Sequence, residues 1–361
     1  MEWSDTISKS EPRSATIKRR LKTIPMIFLL AVVVTALLPI LLLIAAALDI
    51  VQIVHRKKPA AHVPALLFGE AYLLADIVGL TALFLTWITS GFGYNKKQLQ
   101  ATAFVCQQSW AGFMMGVSKF LFRLKLEVDG QDAARTGPYL EIIRHSSIVD
   151  NVLSAVCISG PLKVHLRYVI KKELLGDPVF DIAGQRLRNH FLDRDSGDPT
   201  EIAAIREMMQ GMGPSEGALI YPEGTRVSSK RRMKALKAIA RNRPERAEMF
   251  ANLKHTLPPR HGGVLAMLDA APNIDVVFFV HAGLEGIRGI KDVLEGGLTG
   301  RHIVVQIVRV AREQVPTGAE IGDWLDRTWL EVDRWVDEAI TAMSQGTQVP
   351  TFAPAPTLPS A

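Results

Sequence analysis

A long apolar segment near the N-terminus restricts what this chain can fold into more than any other feature of the sequence. The run extends from Ile24 to Val54, and Asp49 and Gln52 are its principal polar interruptions. At a rise of about 1.5 Å per residue, Ile24–Ala47 alone is long enough to cross a bilayer core of about 30 Å. The run is too long for the apolar part of a signal peptide, so we expect it to be retained as a membrane helix.

A second apolar segment, Val63–Thr89, follows a basic turn and contains Glu70 and Asp76. Ionised groups that face lipid are costly, so we expect these two acids to face the partner helix or the membrane interface. Positive residues flank both ends of the pair, and the positive-inside rule therefore gives no orientation. Two interpretations remain: a two-pass hairpin, or a two-helix anchor partly submerged in one leaflet.

The rest of the chain reads as one α/β domain with flanking segments. Strand-type patterns alternate with helical stretches after residue 122, which indicates a central sheet covered by helices. The predicted strands are 124–128, 139–143, 164–170, 217–221, 274–280 and 302–310, and an amphipathic helix over 318–344 is expected to cover the sheet. The predicted organisation is a disordered basic arm (1–22), a two-helix membrane anchor (23–91), an interfacial or packing helix (92–122), the α/β domain (123–344) and a disordered tail rich in Pro, Thr and Ala (345–361).

Charge and cysteine content narrow the possible partners. The formal net charge is +6, which favours an anionic partner such as nucleic acid, a membrane surface or a phosphorylated substrate. Cys106 and Cys157 are far apart and outside any C-x-x-C context, so neither a disulfide framework nor a zinc site is indicated. A dense basic run lies between Arg226 and Arg260. We interpret it as contacting anionic phosphate groups such as those of lipid headgroups, although such a run can also be a solvated helix face.

The segment from Arg144 to Asp150 carries a candidate catalytic pair. His145 precedes Asp150 by five residues, with a β-type run before the histidine and a helix-forming run after it. A histidine in the junction loop can fold back toward the aspartate, which then fixes the imidazole tautomer and leaves the other ring nitrogen free to accept a proton. The pattern therefore indicates a general base with its orienting carboxylate.

A second candidate segment follows the predicted strand at 217–221. There the chain breaks at a proline and continues as Glu223-Gly224-Thr225-Arg226. The glycine allows a ligand to approach the backbone closely, and an arginine in such a turn suits bidentate capture of phosphate. The alternative is a surface turn with a solvated arginine.

Taken together, these segments resemble the glycerolipid acyltransferase family, which includes the 1-acyl-sn-glycerol-3-phosphate acyltransferases. The family's H-x4-D box and its E-G-T-R turn occur here in order and at a suitable interval. Two further blocks of the family are matched by Lys171-Lys172-Glu173-Leu174 with Pro178 and Phe191-Leu192-Asp193-Arg194, and by Leu257-Pro258-Pro259-Arg260-His261-Gly262-Gly263. The resemblance covers roughly residues 120–285. One departure is Arg144, which stands where the family usually has asparagine and which could alter how the histidine loop is held.

The resemblance implies a fold, a reaction and a set of site residues. The fold is a single acyltransferase domain with a mixed central sheet flanked by helices, preceded by the two-helix membrane anchor. The reaction is transfer of an acyl group from acyl-CoA or an acyl carrier protein to the sn-2 hydroxyl of 1-acyl-sn-glycerol-3-phosphate, with no further cofactor and no metal. The implied catalytic residues are His145 and Asp150, and the implied substrate-binding residues are Lys172, Arg194, Glu223, Gly224, Thr225 and Arg226. The expected setting is an anionic membrane surface, with the catalytic domain on the cytoplasmic side and no nucleic acid as partner.

Three alternatives stay open at this point. The acceptor could be another lysophospholipid, such as lysocardiolipin or lysophosphatidylinositol. A non-enzymatic, membrane-anchored basic binding protein would explain the basic run but not the combination of His145, Asp150, Glu223 and Arg226. A metal-dependent phosphoesterase would need more ligands than one H-x4-D box offers. Histidines outside the motifs, His281 among them, are interpreted as structural or exposed.

Overall fold

Three long helices form the N-terminal third of the protein. The computed structural model describes residues 11–192 and 200–357. The helices are α1 (Arg13–Arg56), α2 (His62–Thr89) and α3 (Lys96–Phe122). Both α1 and α2 are long and apolar enough to cross a membrane. The predicted helix at 92–122 is therefore present as α3.

The prediction of a disordered arm at 1–22 is wrong for residues 13–22, which form the first turns of α1. Of the predicted arm, residues 1–10 lie outside the described part of the chain. Two basic residues in the first turns of α1 form ion pairs that the sequence does not predict. Arg19 and Arg20 both form ion pairs with the buried carboxylate of Asp181, at 3.1 and 3.0 Å. These pairs give the start of α1 a fixed position on the globular domain.

The acids within the apolar helices accept hydrogen bonds from neighbouring helices and loops. Asp49 accepts the backbone N–H groups of Ala61, His62 and Val63 and so caps the first turn of α2. Glu70 accepts a hydrogen bond from the hydroxyl of Thr35 on α1 at 2.5 Å. Asp76 on α2 accepts a hydrogen bond from the indole N–H of Trp110 on α3 at 2.9 Å. Glu70 and Asp76 thus both face partner helices, in agreement with the prediction that they face a partner helix or the membrane interface.

A mixed seven-stranded sheet forms the centre of the α/β domain, and its order is β1-β7-β6-β2-β5-β3-β4. The strands are β1 (Lys125–Asp129), β2 (Tyr139–Ile143), β3 (His165–Lys171), β4 (His190–Leu192), β5 (Glu216–Ile220), β6 (Asp275–Ala282) and β7 (His302–Val310). Every pair of neighbours is parallel except β6 and β7. The six predicted strands are present, and the three-residue β4 is an addition.

Helices cover both faces of this sheet. After β2 come α4 (Asp150–Ser154), a π-helical segment (Ala155–Ser159) and α5 (Gly160–Leu162); later helices are α6 (Pro178–Arg186), α7 (Thr200–Met208), α8 (Ser229–Ala240), α9 (Pro244–Met249), α10 (His261–Ala270), α11 (Ile290–Leu294) and α12 (Glu320–Gln345). One face packs against α7, α10 and α12, and the other packs against α3 and the segment around Cys157. Because both faces are buried, the central strands are apolar on both sides.

The prediction of a disordered tail at 345–361 is wrong for the described residues up to 357. Phe352 is 3% exposed and packs edge-on against Phe278 and Trp335. The backbone carbonyl of Pro350 accepts a hydrogen bond from the indole N–H of Trp335 at 2.8 Å. Gln306 accepts the backbone N–H of Phe352 at 2.6 Å. The prolines do prevent a helix, but side chains of α12 and β7 satisfy the extended backbone and hold it on the core.

Candidate active site

The sheet topology brings three loops to one edge. Strand β2 lies between β5 and β6 and is parallel to both, so the carboxyl ends of these strands meet. His145 follows the end of β2, the turn from Tyr221 to Arg226 follows β5, and His281 lies at the end of β6. In open α/β sheets this edge is where ligands bind.

His145 and Asp150 form a buried pair. Nδ1 of His145 lies 3.3 Å from Oδ2 of Asp150, and the two side chains are 9% and 0% exposed. Asp150 begins α4, and its Oδ2 also accepts the backbone N–H groups of Ser146 and Ser147 at 2.5 and 2.7 Å. The carboxylate therefore fixes both the imidazole and the loop that carries it.

The surroundings of Asp150 keep its carboxylate ionised. Burial alone would raise its pKa, but the facing His281, the hydrogen bond from His145 and the N–H of Ser147 together lower the pKa below its ordinary value. The ring of Tyr221 lies beside the imidazole of His145, with 4.5 Å between the centroids. Since Nδ1 of His145 faces the carboxylate, Nε2 is the nitrogen left to exchange a proton with a ligand.

No sequence motif indicates that His281 contributes to this site, yet the side chain reaches Asp150. Its Nε2 lies 3.7 Å from Oδ1 of Asp150 and 3.3 Å from the backbone carbonyl of Arg144. The side chain is fully buried, and burial lowers its pKa, although the Asp150 carboxylate opposes this. Asp150 therefore lies between two imidazoles. The signal that points to His281 is its place at the carboxyl end of a strand adjacent to β2.

Arg144 holds the loops behind His145. It is 1% exposed, and its guanidinium donates to the carbonyl of His281 at 2.5 Å and to the carboxylate of Glu285 at 2.9 Å. Burial would raise the pKa of Glu285, but the charge of Arg144 keeps it below its ordinary value. A third hydrogen bond, of 3.4 Å, reaches the carbonyl of His255. The residue that departs from the family's asparagine thus ties the loops after β2 and β6 to the segment before α10.

Glu223 connects the loop that carries His145 to the segment before α10. It is 2% exposed, and its two carboxylate oxygens accept the backbone N–H groups of His145 and Leu257, both at 3.1 Å. Burial raises its pKa to about 8. Gly224 follows with φ +68°, and an added Cβ there would lie 3.2 Å from the guanidinium of Arg260. The turn thus requires glycine, and it directs Thr225 and Arg226 toward the cavity described next.

A cavity of about 370 Å³ extends from His145 to α3. Most of its walls are apolar and come from α3, β3, α6 and the start of α4. His145, Tyr221, Thr225, Arg226 and Arg231 also line it, and the apolar lining includes Trp110, Ala111, Ile148, Val152, Leu174, Val179, Phe180 and Leu187. We call this space the acyl cavity, because its largely apolar walls suit a ligand with a sizeable apolar part.

The predicted site residues fall into three groups. His145, Thr225 and Arg226 line the acyl cavity, whereas Asp150, Glu223 and Gly224 hold its lining from behind. Lys172 is exposed and outside the lining, which contains its neighbour Lys171. Arg194 lies outside the described residues. Arg231, counted in the sequence as part of the basic run, lines the cavity and donates to the carbonyl of Arg226 at 3.1 Å.

The arrangement is suited to removing a proton from a hydroxyl group. An imidazole held by a buried carboxylate faces a cavity that accepts an apolar chain and carries two guanidinium groups. The pair matches the geometry of a general base with its orienting group. Arginines are suited to binding a phosphate group through paired hydrogen bonds.

Comparison with known proteins gives two similarities. Residues 125–274 match the family model named Acyltransferase. Among solved structures, the crystal structure of PlsC, the 1-acyl-sn-glycerophosphate (LPA) acyltransferase from Thermotoga maritima, is similar with a TM-score of 0.49 and 13% sequence identity, over 77% of this chain and 95% of that chain. A search of curated protein sequences finds no match.

Proposed function

We propose that this chain, whose residues 125–274 match the Acyltransferase family model, is a glycerolipid acyltransferase that acylates the sn-2 hydroxyl of 1-acyl-sn-glycerol-3-phosphate. The product is phosphatidic acid, and the donor is acyl-CoA or an acyl carrier protein thioester. One observation carries the proposal: the His145–Asp150 pair borders a largely apolar cavity that also contains Arg226. Base, lipid chain and phosphate would then meet in one place.

The reaction requires one base and no covalent intermediate. Nε2 of His145 takes the proton of the sn-2 hydroxyl as that oxygen attacks the thioester carbonyl. The tetrahedral intermediate collapses, the C–S bond breaks, and the leaving thiolate takes the proton back from His145. Asp150 stabilises the transient imidazolium. Since a thioester is already an activated acyl group, a serine or cysteine nucleophile is unnecessary.

The acceptor phosphate would be held by arginines. Arg226 and Arg231 both line the acyl cavity, and Arg226 is fixed by donating to the carbonyl of Arg288 at 2.5 Å. A guanidinium with one N–H engaged in this way keeps its orientation and can bind phosphate with the others. The family resemblance adds Arg194 and Lys172 as further phosphate ligands. In this proposal Glu223, Gly224 and Thr225 shape the turn that presents Arg226.

Membrane attachment is the second part of the proposal. Helices α1 and α2 would anchor the enzyme, since apolar side chains such as Leu29 and Leu43 on α1 are 65% and 74% exposed. Exposed apolar side chains along a helix of this length are stable only in lipid or against a partner. The basic helix α8 would contact anionic headgroups, with the catalytic domain on the cytoplasmic side.

The main alternative acceptor is another lysophospholipid, such as lysocardiolipin or lysophosphatidylinositol. Its phosphate would use the same arginines, so the headgroup beyond the phosphate is the point of difference. A non-enzymatic basic membrane protein is the more distant alternative, and the buried His145–Asp150 pair beside an apolar cavity argues against it.

Purified protein in nanodiscs tests the proposal. Radiolabelled acyl-CoA and acyl carrier protein are each offered with lysophosphatidate, lysocardiolipin or lysophosphatidylinositol, and the products are separated by chromatography. We expect labelled phosphatidic acid from the wild type and none from folded, membrane-bound His145→Ala protein. If only another phospholipid is labelled, the acceptor is the corresponding lysophospholipid and not lysophosphatidate. Normal turnover by His145→Ala would remove the proposed mechanism.

A further inference from the structure

A second pocket, of about 190 Å³, lies on the other side of the loop that carries Arg226. We call it the polar pocket. It shares no lining residue with the acyl cavity, but the two spaces are neighbours. His145 and Arg231 line the cavity, whereas the residues that follow them, Ser146 and Arg232, line the pocket. The loop after β5 and the first turn of α8 thus form a wall between the two spaces.

The lining of the polar pocket is strongly basic. Its charged lining residues are Arg144, Arg232, Lys254, Arg288 and Glu285. Two of the four cations are already neutralised, because Arg144 pairs with Glu285 at 2.9 Å and Lys254 pairs with an aspartate of α12 at 2.7 Å. The other two have no ion pair within residues 11–192 and 200–357. The pocket therefore has uncompensated positive charge.

The two uncompensated arginines differ in how they are held. Arg232 is half-buried and donates through Nη2 to the carbonyl of Lys254, while its buried Nε has no partner among the described residues. Arg288 is exposed, and no hydrogen bond of its guanidinium is found in the described parts of the chain. One arginine is thus fixed in the wall, and the other is free to close on a ligand.

The start of α8 adds to this positive potential. Ser228 caps the helix by accepting the N–H of Arg231 at 3.3 Å, and Ser228 and Ser229 both line the pocket. The N-terminus of a twelve-residue helix attracts anions through its dipole and its exposed N–H groups. Guanidinium groups, serine hydroxyls and a helix N-terminus in one pocket are suited to binding a phosphate group.

We infer that the polar pocket binds a phosphate group of the acyl donor, so that the donor lies across the wall with its thioester beside His145. The inference rests on the proposed function, in which Arg226 and the acyl cavity take the phosphate and chain of the acceptor. A ternary complex then brings a second set of phosphates, those of coenzyme A or of phosphopantetheine, and the polar pocket offers them a basic space lined by Ser146, the neighbour of His145. Its volume corresponds to roughly six water molecules at about 30 Å³ each, enough for a phosphate and its ester oxygens.

Calorimetry on the full-length protein in nanodiscs tests the pocket without turnover. The probes are coenzyme A, 3′,5′-ADP and glycerol 3-phosphate, and the variants are Arg232→Gln and Arg288→Gln. Arg334→Gln, at an exposed position of α12, removes one positive charge elsewhere as a control. Each pocket variant should weaken binding of coenzyme A about tenfold, the equivalent of one charge-assisted hydrogen bond, and the control should not. Arg288→Gln keeps the test decisive if Arg232→Gln fails to fold.

Steady-state kinetics then identify the source of the phosphate. We expect the KM for the acyl donor to rise about tenfold in the same variants, while the KM for the lysophospholipid stays constant. Loss of 3′,5′-ADP binding assigns the nucleotide phosphates, and an equal KM increase for acyl-CoA and acyl carrier protein assigns the phosphopantetheine phosphate. A change confined to glycerol 3-phosphate binding and to the acceptor KM would overturn the inference, and so would unchanged affinity for coenzyme A. Absence of acyl transfer by the wild type would refute the proposed function, and the calorimetric result would still stand.

Discussion

Replacing Asp150 with asparagine separates the charge of the His145–Asp150 pair from its geometry. The amide oxygen of asparagine can occupy the position of Oδ2 and accept the N–H groups of Ser146 and Ser147, which are the two shortest contacts of the carboxylate. The amide NH2 then takes the position of Oδ1, near the hydroxyl of Ser146 and Nε2 of His281. The loop should therefore keep its fold, while the negative charge beside His145 is lost.

The size of the effect follows from the distance between the two groups. At 3.3 Å from Nδ1 to Oδ2, the attraction between imidazolium and carboxylate is about 5 kcal/mol at an effective dielectric constant of about 20. At about 1.4 kcal/mol per power of ten, this is an upper limit of between three and four powers of ten in rate. The amide oxygen retains part of the interaction, so we expect kcat to fall by about 10² to 10³.

Steady-state acyl transfer at saturating donor and acceptor measures this change. The two KM values should stay within about threefold of wild type, since Asp150 lies behind the cavity lining. Asp269→Asn, which removes a half-exposed surface carboxylate on α10, is the matched control and should leave kcat unchanged. A folded Asp150→Asn protein whose kcat remains within tenfold of wild type would refute the role of the buried carboxylate.

Three further predictions test the phosphate ligand, the C-terminal segment and a buried carboxyl group. Arg226→Lys should raise the KM for the lysophospholipid about tenfold and leave the KM for the donor unchanged, because lysine cannot form paired hydrogen bonds to phosphate. Equal effects on the two KM values in steady-state kinetics would contradict this. Phe352→Ala should lower the free energy of unfolding by about 3–5 kcal/mol in denaturant titrations without changing KM, because the ring is 3% exposed and lies far from the acyl cavity; a change below about 1 kcal/mol would show that the segment is not part of the core. Glu141→Gln tests a carboxyl group whose pKa burial raises to about 8. Because the pKa is higher in the folded state, protonation of Glu141 stabilises the fold fully below the ordinary pKa of about 4.5, and this stabilisation is lost as the pH rises to 8. Glutamine cannot ionise, so the melting temperature of Glu141→Gln relative to that of the wild type should increase between these pH values. A difference in melting temperature that does not depend on pH would exclude ionisation as the cause.

The sequence predicts the elements whose pattern is local. Period-two alternation and apolar runs locate the strands around Tyr139 and His302, and the 3.6-residue pattern locates α12. The helix pair is predicted from the length of its apolar runs. Strand β4 has three residues, too few to form a pattern. The segment around Phe352 was missed because its composition is that of a disordered tail, whereas its order comes from tryptophans elsewhere in the chain.

In the candidate site, too, local patterns are predictable from the sequence and contacts between distant residues are not. The spacing of His145 and Asp150 predicts that the two side chains can meet. The contacts of Arg144 with His281 and Glu285 span 137 and 141 residues, so no local pattern could show them. The basic run was likewise treated as one surface, yet Arg246 is fixed by Asp326 of α12. Charge composition cannot distinguish a cation that is already paired from one that remains available.

The position of Trp110 gives the protein an internal optical probe. Its indole N–H donates to Asp76 on α2 at 2.9 Å, and its ring lies edge-on to Phe180 on α6 at 5.4 Å, on the wall of the acyl cavity. Trp324 and Trp329 are each 1% exposed on the opposite side of the sheet. Indole emission depends on the polarity next to the ring. The emission of Trp110 should therefore change when a lipid chain fills the acyl cavity, while that of the buried Trp324 and Trp329 should change when the domain unfolds.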